Sequence, residues 1–330
     1  MHRLVVDPTH PEASLIARAA DVLRRGGLVA FPTETVYGLG ANALDRAAVA
    51  RIYAAKGRPG YNPLIVHVAE HAQAMRVVRE WNDMAERLAR AFWPGPITLV
   101  LPKRSEVPDE VTAGLPTVGV RVPRHPVALA LLRAADVPVA APSANRSMLL
   151  SPTTGDHVAK SLGDAVDVIL DGGATDVGIE STVIDVSQPT AMPTLLRPGT
   201  ITVPQIEAVV GPIAIASLER GGAARPSPGM LDKHYSPRAE LLLVDAADIR
   251  GRLESAGAAG KAAGALVVHA AVTASPLVIR MPSDAASYAA RLYRSLHSLD
   301  DAGCDVIVVE RVGDGAEWLG VRDRLARAAR

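Results

Sequence analysis

Residues 28–68, LVAFPTETVYGLGANALDRAAVARIYAAKGRPGYNPLIVHV, constrain this chain more than any other stretch. The apolar run Leu28-Val29-Ala30-Phe31 reads as a buried strand. It stops at Pro32, where Thr33, Glu34, Thr35 and Tyr37 crowd polar groups onto a strand end. Loops that leave strands are where binding groups are commonly presented. Gly38 and Gly40 read as a tight turn or as a close approach of backbone to a ligand. A helical pattern over 47–55 follows, ending at Lys56-Gly57-Arg58-Pro59, whose basic pair suits phosphate or carboxylate. A second apolar strand, 64–68, carries His67. The polar groups needed to hold an anionic small molecule therefore gather at the ends of two strands.

Composition excludes several classes. At 330 residues the chain has room for two domains and a full core. No apolar run approaches the roughly twenty residues of a membrane helix. The first residues lack a signal peptide's apolar region and cleavage site. The single cysteine, Cys304, excludes an internal disulfide framework, so a reducing cytoplasm is expected. Lys plus Arg (35) equals Asp plus Glu (35), leaving no global field to draw the chain to nucleic acid or membrane.

The periodicities predict an amphipathic helix over 13–26 and another over 72–92, broken by Trp93-Pro94-Gly95-Pro96. Strands are expected at 97–101, 117–123 (interrupted by Arg121), 137–141 and 166–170, with a helix at 126–135. An antiparallel pair is expected at 181–186 and 194–196. The 137–141 strand runs into a second polar cluster, Pro142-Ser143-Ala144-Asn145-Arg146-Ser147. Glycine and proline repeat through 211–238, which reads as a linker or lid. Strands at 241–244, 265–269, 277–281 and 306–310, with helices at 283–299 and 318–329, then predict a small three-layer parallel α/β domain. The expected division is 1–210, linker 211–238 and 239–330.

Each polar cluster also has a bland reading. Taken alone, Lys56-Gly57-Arg58 is the solvated end of a helix, His67 a satisfied structural histidine, and Ser143 and Asn145 turn formers. Arg121 is harder to dismiss, because a buried guanidinium must face a carboxylate or an anionic ligand. The nine histidines and single cysteine form no metal-ligand spacing. Neither GxGxxG nor a Walker GxxxxGK[ST] occurs.

Five runs together resemble one family. They are Phe31–Leu39, Lys56–His67, Trp93–Thr98, Ala141–Ser147 and Ile179–Val183, in family order across residues 12–200. The chain is similar to the YrdC-type threonylcarbamoyl-AMP synthases, in their longer two-domain form. The resemblance implies a twisted open mixed α/β sheet with helices around a positively charged cavity, a linker, and a Rossmann-like C-terminal domain. It implies a nucleotidyltransferase that joins L-threonine, bicarbonate and ATP, with Mg²⁺ on the phosphates, into L-threonylcarbamoyl-AMP and pyrophosphate. The product would pass to a transferase that modifies tRNA, and a weak tRNA contact stays open.

By matching position, the resemblance assigns Thr35, His67, Arg121, Ala141 and Ser181 to threonine. Lys56, Arg58, Asn62, Thr117, Ser143, Asn145, Ser151 and Arg197 fall to ATP, with His234 and Tyr235 from the linker. It assigns no general acid or base; Lys56, Arg58 and Arg121 act by positioning. There are two departures. Met148-Leu149-Leu150 stands where relatives carry a glycine, and Leu231-Asp232-Lys233 replaces an aromatic and basic linker segment. Two other readings compete. Hydrogenase-maturation carbamoyltransferases share a similar domain, but their cysteine-rich zinc motifs are missing here. A non-catalytic module binding tRNA or double-stranded RNA is opposed by the balanced charge. The C-terminal domain carries no motif of its own and is expected to anchor the linker.

Overall fold

The apolar run at 28–31 is an interior strand of a large sheet, and both of its faces are covered. Leu28 and Ala30 pack into one core cluster, with Leu39, Val66, Leu99 and Ile184. Val29 and Phe31 pack into another, with Ile16, Leu23, Leu131 and Leu170. Strands covered on both faces are apolar at every position instead of alternating. The structure, a computed structural model, describes residues 1–216, 235–273, 275 and 277–329. The expectations for His234 and for Leu231-Asp232-Lys233 lie outside the described residues.

The first sheet contains β1 (His2–Val5), β2 (Val29–Pro32), β3 (Tyr37–Asn42), β4 (Ile65–His67), β5 (Ile97–Pro102) and β6 (Thr117–Arg121). It continues with β7 (Val139–Ala140), β8 (Val168–Asp171), β9 (Thr182–Asp185), β10 (Thr194–Arg197) and β11 (Ala214–Ile215). Their spatial order is β1-β8-β2-β3-β7-β4-β6-β5-β9-β10-β11, with parallel and antiparallel neighbours mixed. The second sheet is wholly parallel, in the order β12 (Glu240–Val244), β15 (Val306–Glu310), β13 (Ala263–Val267), β14 (Val278–Arg280). The helix Ile249–Ala258 covers one of its faces, through Ile249, Ala265 and Val308. The helices Ala285–Asp301 and Leu319–Ala328 cover the other, through Leu266, Leu292, Ile307 and Leu325. The mixed-sheet α/β fold and the smaller parallel α/β unit are those expected.

Two local readings are corrected. Gly38 and Gly40 are strand residues within β3, not a turn. A β-carbon at Gly40 would stand 2.8 Å from both the Phe31 ring and Val139, so the glycine permits close lateral packing. The helix expected over 72–92 is two helices, His71–Ala74 and Asp83–Phe92. Between them the backbone pairs with the end of β5: Arg79 N donates to Pro102 O (2.9 Å) and Arg104 N to Val77 O (2.9 Å). Tertiary hydrogen bonding outweighs helical periodicity there. β1 and the helices Gly155–Leu162 and Val203–Val210 are not among the expected elements, although Thr154 caps the first helix and Thr202 with Gln205 forms a capping box on the second.

The two units share a core. Val36, Leu150 and Ile179 from loops of the first unit pack with Tyr288, Tyr293, Leu296 and Val321 of the second. Gly178, at φ 77°, lies flat on the Ala285–Asp301 helix, where a β-carbon would stand 2.4 Å from Ala289 O. At the rim Arg238 pairs with Asp300 (3.0 Å) and Lys160 with Asp301. The rings of His157 and His297 stack across the junction at 3.8 Å.

The polar loop after β7 is closed without its glycine. Met148 itself takes φ 73°, a left-handed conformation. Asn145 Nδ2 braces the turn by donating to Leu149 O (2.7 Å), and Ser236 N donates to Met148 O (3.0 Å). Met148 is 39% exposed, so its side chain contributes little burial. Met148→Gly is expected to stabilise the chain by about 0.5–1 kcal/mol, after allowing for glycine's unfolded-state entropy. Calorimetry would show this as a Tm rise of roughly 1–3 °C.

Acid should loosen the junction. Burial, then the charge of its partner, lowers His157 to about 3, and burial lowers His297 to about 4, both from 6.5. Asp156 and Asp300 oppose these shifts, while Lys160, Arg294 and Arg238 reinforce them. Both folded values lie below the unfolded one, so the unfolded chain takes up protons first. Stability present at pH 7 is lost as pH falls from about 6.5 toward 3–4. Tm measured across that window should fall, and His157→Phe, which keeps a stacked ring without the proton, should flatten the slope.

Candidate functional site

Register brings the site together. β4 and β6 run parallel with His67 opposite Arg121, so both side chains leave the sheet at the same end. The loop between β2 and β3 turns over that end, held by Thr33 Oγ1 donating to Val36 O (2.7 Å). The β7 exit joins it: Ala141 N donates to Ile65 O (2.9 Å) and Leu39 N to Pro142 O (2.7 Å). Ser181, just before β9, and Arg197, ending β10, close another side, with Arg197 Nε donating to Ser181 O (3.0 Å). Tyr235 completes the cleft.

Arg121 is almost fully buried and held on three sides. Its Nη1 donates to Thr35 Oγ1 (2.9 Å) and its Nε to Gly95 O (3.1 Å). Its Nη2 stands 2.7 Å from Glu34 Oε1, an ion pair without hydrogen-bond directionality. Glu34 is anchored in turn by the amide of Arg124 (3.0 Å). The carboxylate that a buried guanidinium demands is therefore supplied from inside the chain, and the group still faces the cleft. His67 is neutral: burial, reinforced by the Arg121 charge, takes it down to about 3. Its Nδ1 has no hydrogen-bond partner among the described residues. An orphaned buried nitrogen on a cleft wall invites a polar ligand atom.

The cleft holds further cations. Arg58 donates through Nε to Asn62 O (3.1 Å) and through Nη2 to Pro63 O (2.8 Å). Burial pulls it to about 10, which leaves it charged at neutral pH. Arg197 Nη2 donates to Ser181 Oγ (3.1 Å), and that hydroxyl also meets Thr98 Oγ1 at 2.8 Å. Among the described residues, three guanidiniums, Arg58, Arg121 and Arg197, thus line one cleft beside a single lining carboxylate, Glu180.

Of the residues singled out in sequence, Thr35, Arg58, His67, Arg121, Ala141, Ser143, Ser181, Arg197 and Tyr235 line this cleft. The others stand behind or away from it. Lys56 Nζ is buried between Ser143 O (2.6 Å) and Asn145 O (2.5 Å), and burial lowers its pKa strongly. It fastens the loop after β7. Asn145 spends its amide on the same loop, and Ser151 donates to Glu180. Asn62 is buried near Arg58 with Nδ2 unpartnered among the described residues. Thr117 begins β6, opposite Pro102, at the strand end remote from Arg121. Sequence reasoning missed Glu34 and Glu180 as site groups, although both lie inside motifs it quoted. Arg324, which reaches Glu180 from 144 residues away, left no sequence signal.

Comparison with known proteins accords with this geometry. The Sua5/YciO/YrdC family model, described as "Telomere recombination", matches residues 21–199, and "Threonylcarbamoyl-AMP synthase, C-terminal domain" matches 201–330. The chain is 44% identical to the threonylcarbamoyl-AMP synthase of Pyrococcus abyssi, over 94% of this chain and 93% of that one. It is 43% identical to the Bacillus subtilis enzyme of the same name, over 98% and 96%. Among solved structures, P. abyssi Sua5 complexed with L-threonine superposes with a TM-score of 0.94 at 41% identity, covering 100% of this chain and 98% of that one. Matched along both sheets and nearly end to end, the chain belongs to the threonylcarbamoyl-AMP synthase family.

Proposed function

We propose that this chain is an L-threonylcarbamoyladenylate synthase, a nucleotidyltransferase that makes L-threonylcarbamoyl-AMP and pyrophosphate from L-threonine, bicarbonate and ATP. The observation that carries the reading is the cleft itself. It gathers a neutral His67, whose Nδ1 is unpaired among the described residues, a pre-paired Arg121, and the cations Arg58 and Arg197. A relative has been solved with L-threonine. In our reading Arg121 grips the threonine carboxylate, and Thr35, His67, Ser181 and the backbone at Ala141 complete that subsite. Arg58 and Arg197, with Ser143 and Tyr235, take the nucleotide. Lys56, Asn145 and Ser151 act through the loop they brace, while Asn62, Thr117 and His234 remain assigned to the nucleotide by resemblance alone.

The residue types suit the chemistry. Threonine's amine adds to carbon dioxide derived from bicarbonate, giving a carbamate. A carbamate oxygen then attacks the α-phosphorus of ATP, and the bond to pyrophosphate breaks. Both steps join small polar species, so fixed cations and orientation supply the rate and no protein nucleophile is needed. Mg²⁺ would arrive with the ATP phosphates. Among the described residues no group of three His, Cys, Asp or Glu could hold an ion, and Glu180 is already bonded by Ser151 and Arg324. The division at 210 and 238, a cytoplasmic location and delivery of the product to a tRNA-modifying transferase belong to the same proposal. No helix among the described residues is long and apolar enough to cross a membrane.

Pyrophosphate release should require threonine, bicarbonate and Mg-ATP together; release without threonine would sink the reading. Replacing Arg121 alone strands Glu34, so the paired variant Glu34→Gln/Arg121→Gln is the cleaner probe. It should raise the KM for threonine by about a hundredfold or more, with ATP little affected. A hydroxyl-reading subsite should discriminate against serine, which lacks one methyl, by only about 10–200-fold in kcat/KM. Valine, which leaves the buried polar groups unpaired, should be rejected by about 10⁴-fold.

A further inference from the structure

Glu180 is an unexpected lining for a cleft that takes a triphosphate. It is buried and stands on the same walls as Arg58 and Arg197. Burial favours its protonated form, yet the charges of Arg324 and Arg197 hold it ionised, at about 2. Arg324 belongs to the other unit, on the helix Leu319–Ala328, and its side chain is wholly buried. Its Nε donates to Glu180 Oε2 (2.7 Å), its Nη2 to Glu180 O (3.4 Å) and its Nη1 to Pro198 O (3.1 Å), the residue after Arg197. The same guanidinium lies 5.1 Å from the centre of the Tyr235 ring, and Tyr235 hydrogen-bonds Arg197. The Tyr293 hydroxyl, also from the second unit, donates to Glu180 (3.2 Å).

We propose that Arg324 is a positioning residue for the nucleotide side of the cleft. It supplies the main counter-charge to Glu180, whose carboxylate would otherwise oppose the phosphates, and it seats Tyr235 and Pro198 around Arg197. The C-terminal unit thereby sets the charge of a site whose other described walls come from the first sheet and the linker. The inference rests on the reading that the Arg58–Arg197 wall takes the triphosphate. Asp323 bonds Arg324 Nη1 (2.6 Å) and also pairs with Arg327, so it orients the guanidinium without satisfying it. The network touches the threonine subsite through Ser181, which Arg197 bonds, while His67 and Arg121 are held by other partners, so threonine binding should weaken less than nucleotide binding.

The test uses the full chain and calorimetric binding of Mg²⁺ with a non-hydrolysable ATP analogue, and of L-threonine. Arg324→Met should weaken the analogue by about tenfold or more and threonine by less than about threefold. Adding Glu180→Gln removes the stranded charge and should bring analogue binding back to within about threefold of the wild type. Arg324→Lys, which keeps the charge, should stay in the same range. Equal weakening of both ligands, or a Glu180→Gln/Arg324→Met pair no better than Arg324→Met, would overturn the proposal. If Arg324→Met does not fold, the lysine variant and the double variant decide: analogue binding weakened beyond tenfold in either one overturns it. Because binding is read without turnover, a wild-type chain that binds both ligands but releases no pyrophosphate would count against the synthase reading alone.

Discussion

A guanidinium in a dry interior must be paired, and much of the first unit's architecture follows from how Arg121 meets that demand. Glu34 and Thr35 arrive from the β2–β3 loop, and Gly95 O comes from the turn before β5. One side chain thus ties together a hairpin loop, the end of β6 and the turn that starts the next strand. Breaking such a buried pair on one side costs about 3–5 kcal/mol, because the surviving charge is stranded. The arrangement also fixes the guanidinium's orientation before any ligand arrives, and so reduces the ordering cost of binding. His67 shares the strand end and stays neutral partly because Arg121 is charged. Charge on one residue therefore sets the hydrogen-bonding character of its neighbour.

The same rule operates again at the junction of the two units. Glu180 is buried like Glu34, though less completely, and its strongest counter-charge, Arg324, comes from the last helix among the described residues. Around this pair lies a shared apolar core, in which Val36, Leu150 and Ile179 are enclosed by Tyr288, Tyr293 and Val321. Val36 and Ile179 flank Thr35 and Glu180 in sequence, so packing of the second unit bears directly on the backbone that presents the cleft. Gly178 permits this contact, since any side chain there would collide with the Ala285–Asp301 helix. Lys56 does comparable work within the first unit: its ammonium group closes the loop after β7 by bonding two carbonyls.

Much of this was legible in the residues. The apolar runs of β2, β5 and β15 announce strands covered on both faces, and Leu15, Ile16, Ala19 and Leu23 announce an amphipathic helix. The polar clusters at 33–37 and 142–147 mark strand ends that do converge on one cleft. What failed was local pattern under tertiary competition. The turn reading of Gly38 and Gly40 failed, because a glycine needed for lateral packing in a sheet has the same letter as one needed for a turn, while Gly38 does border the cleft. The 72–92 periodicity continued through residues whose backbone bonds to β5 instead. Lys56 read locally as a solvated helix end, since nothing local reveals that two carbonyls 87 and 89 residues away bond its amine.

Sequence by itself determined the two-unit α/β plan, the covered faces of the strands and the requirement that Arg121 find an anion. Periodicity, composition and the energetic penalty on buried charge are properties of residues in order. Only tertiary structure decided which anion that is, which cations face the cleft, and that the last helix supplies the counter-charge of Glu180. Those outcomes depend on register between strands and on docking between units. They bring together groups separated by 87 residues in Arg121–Glu34 and by 144 in Arg324–Glu180, distances over which a sequence pattern carries no information about contact.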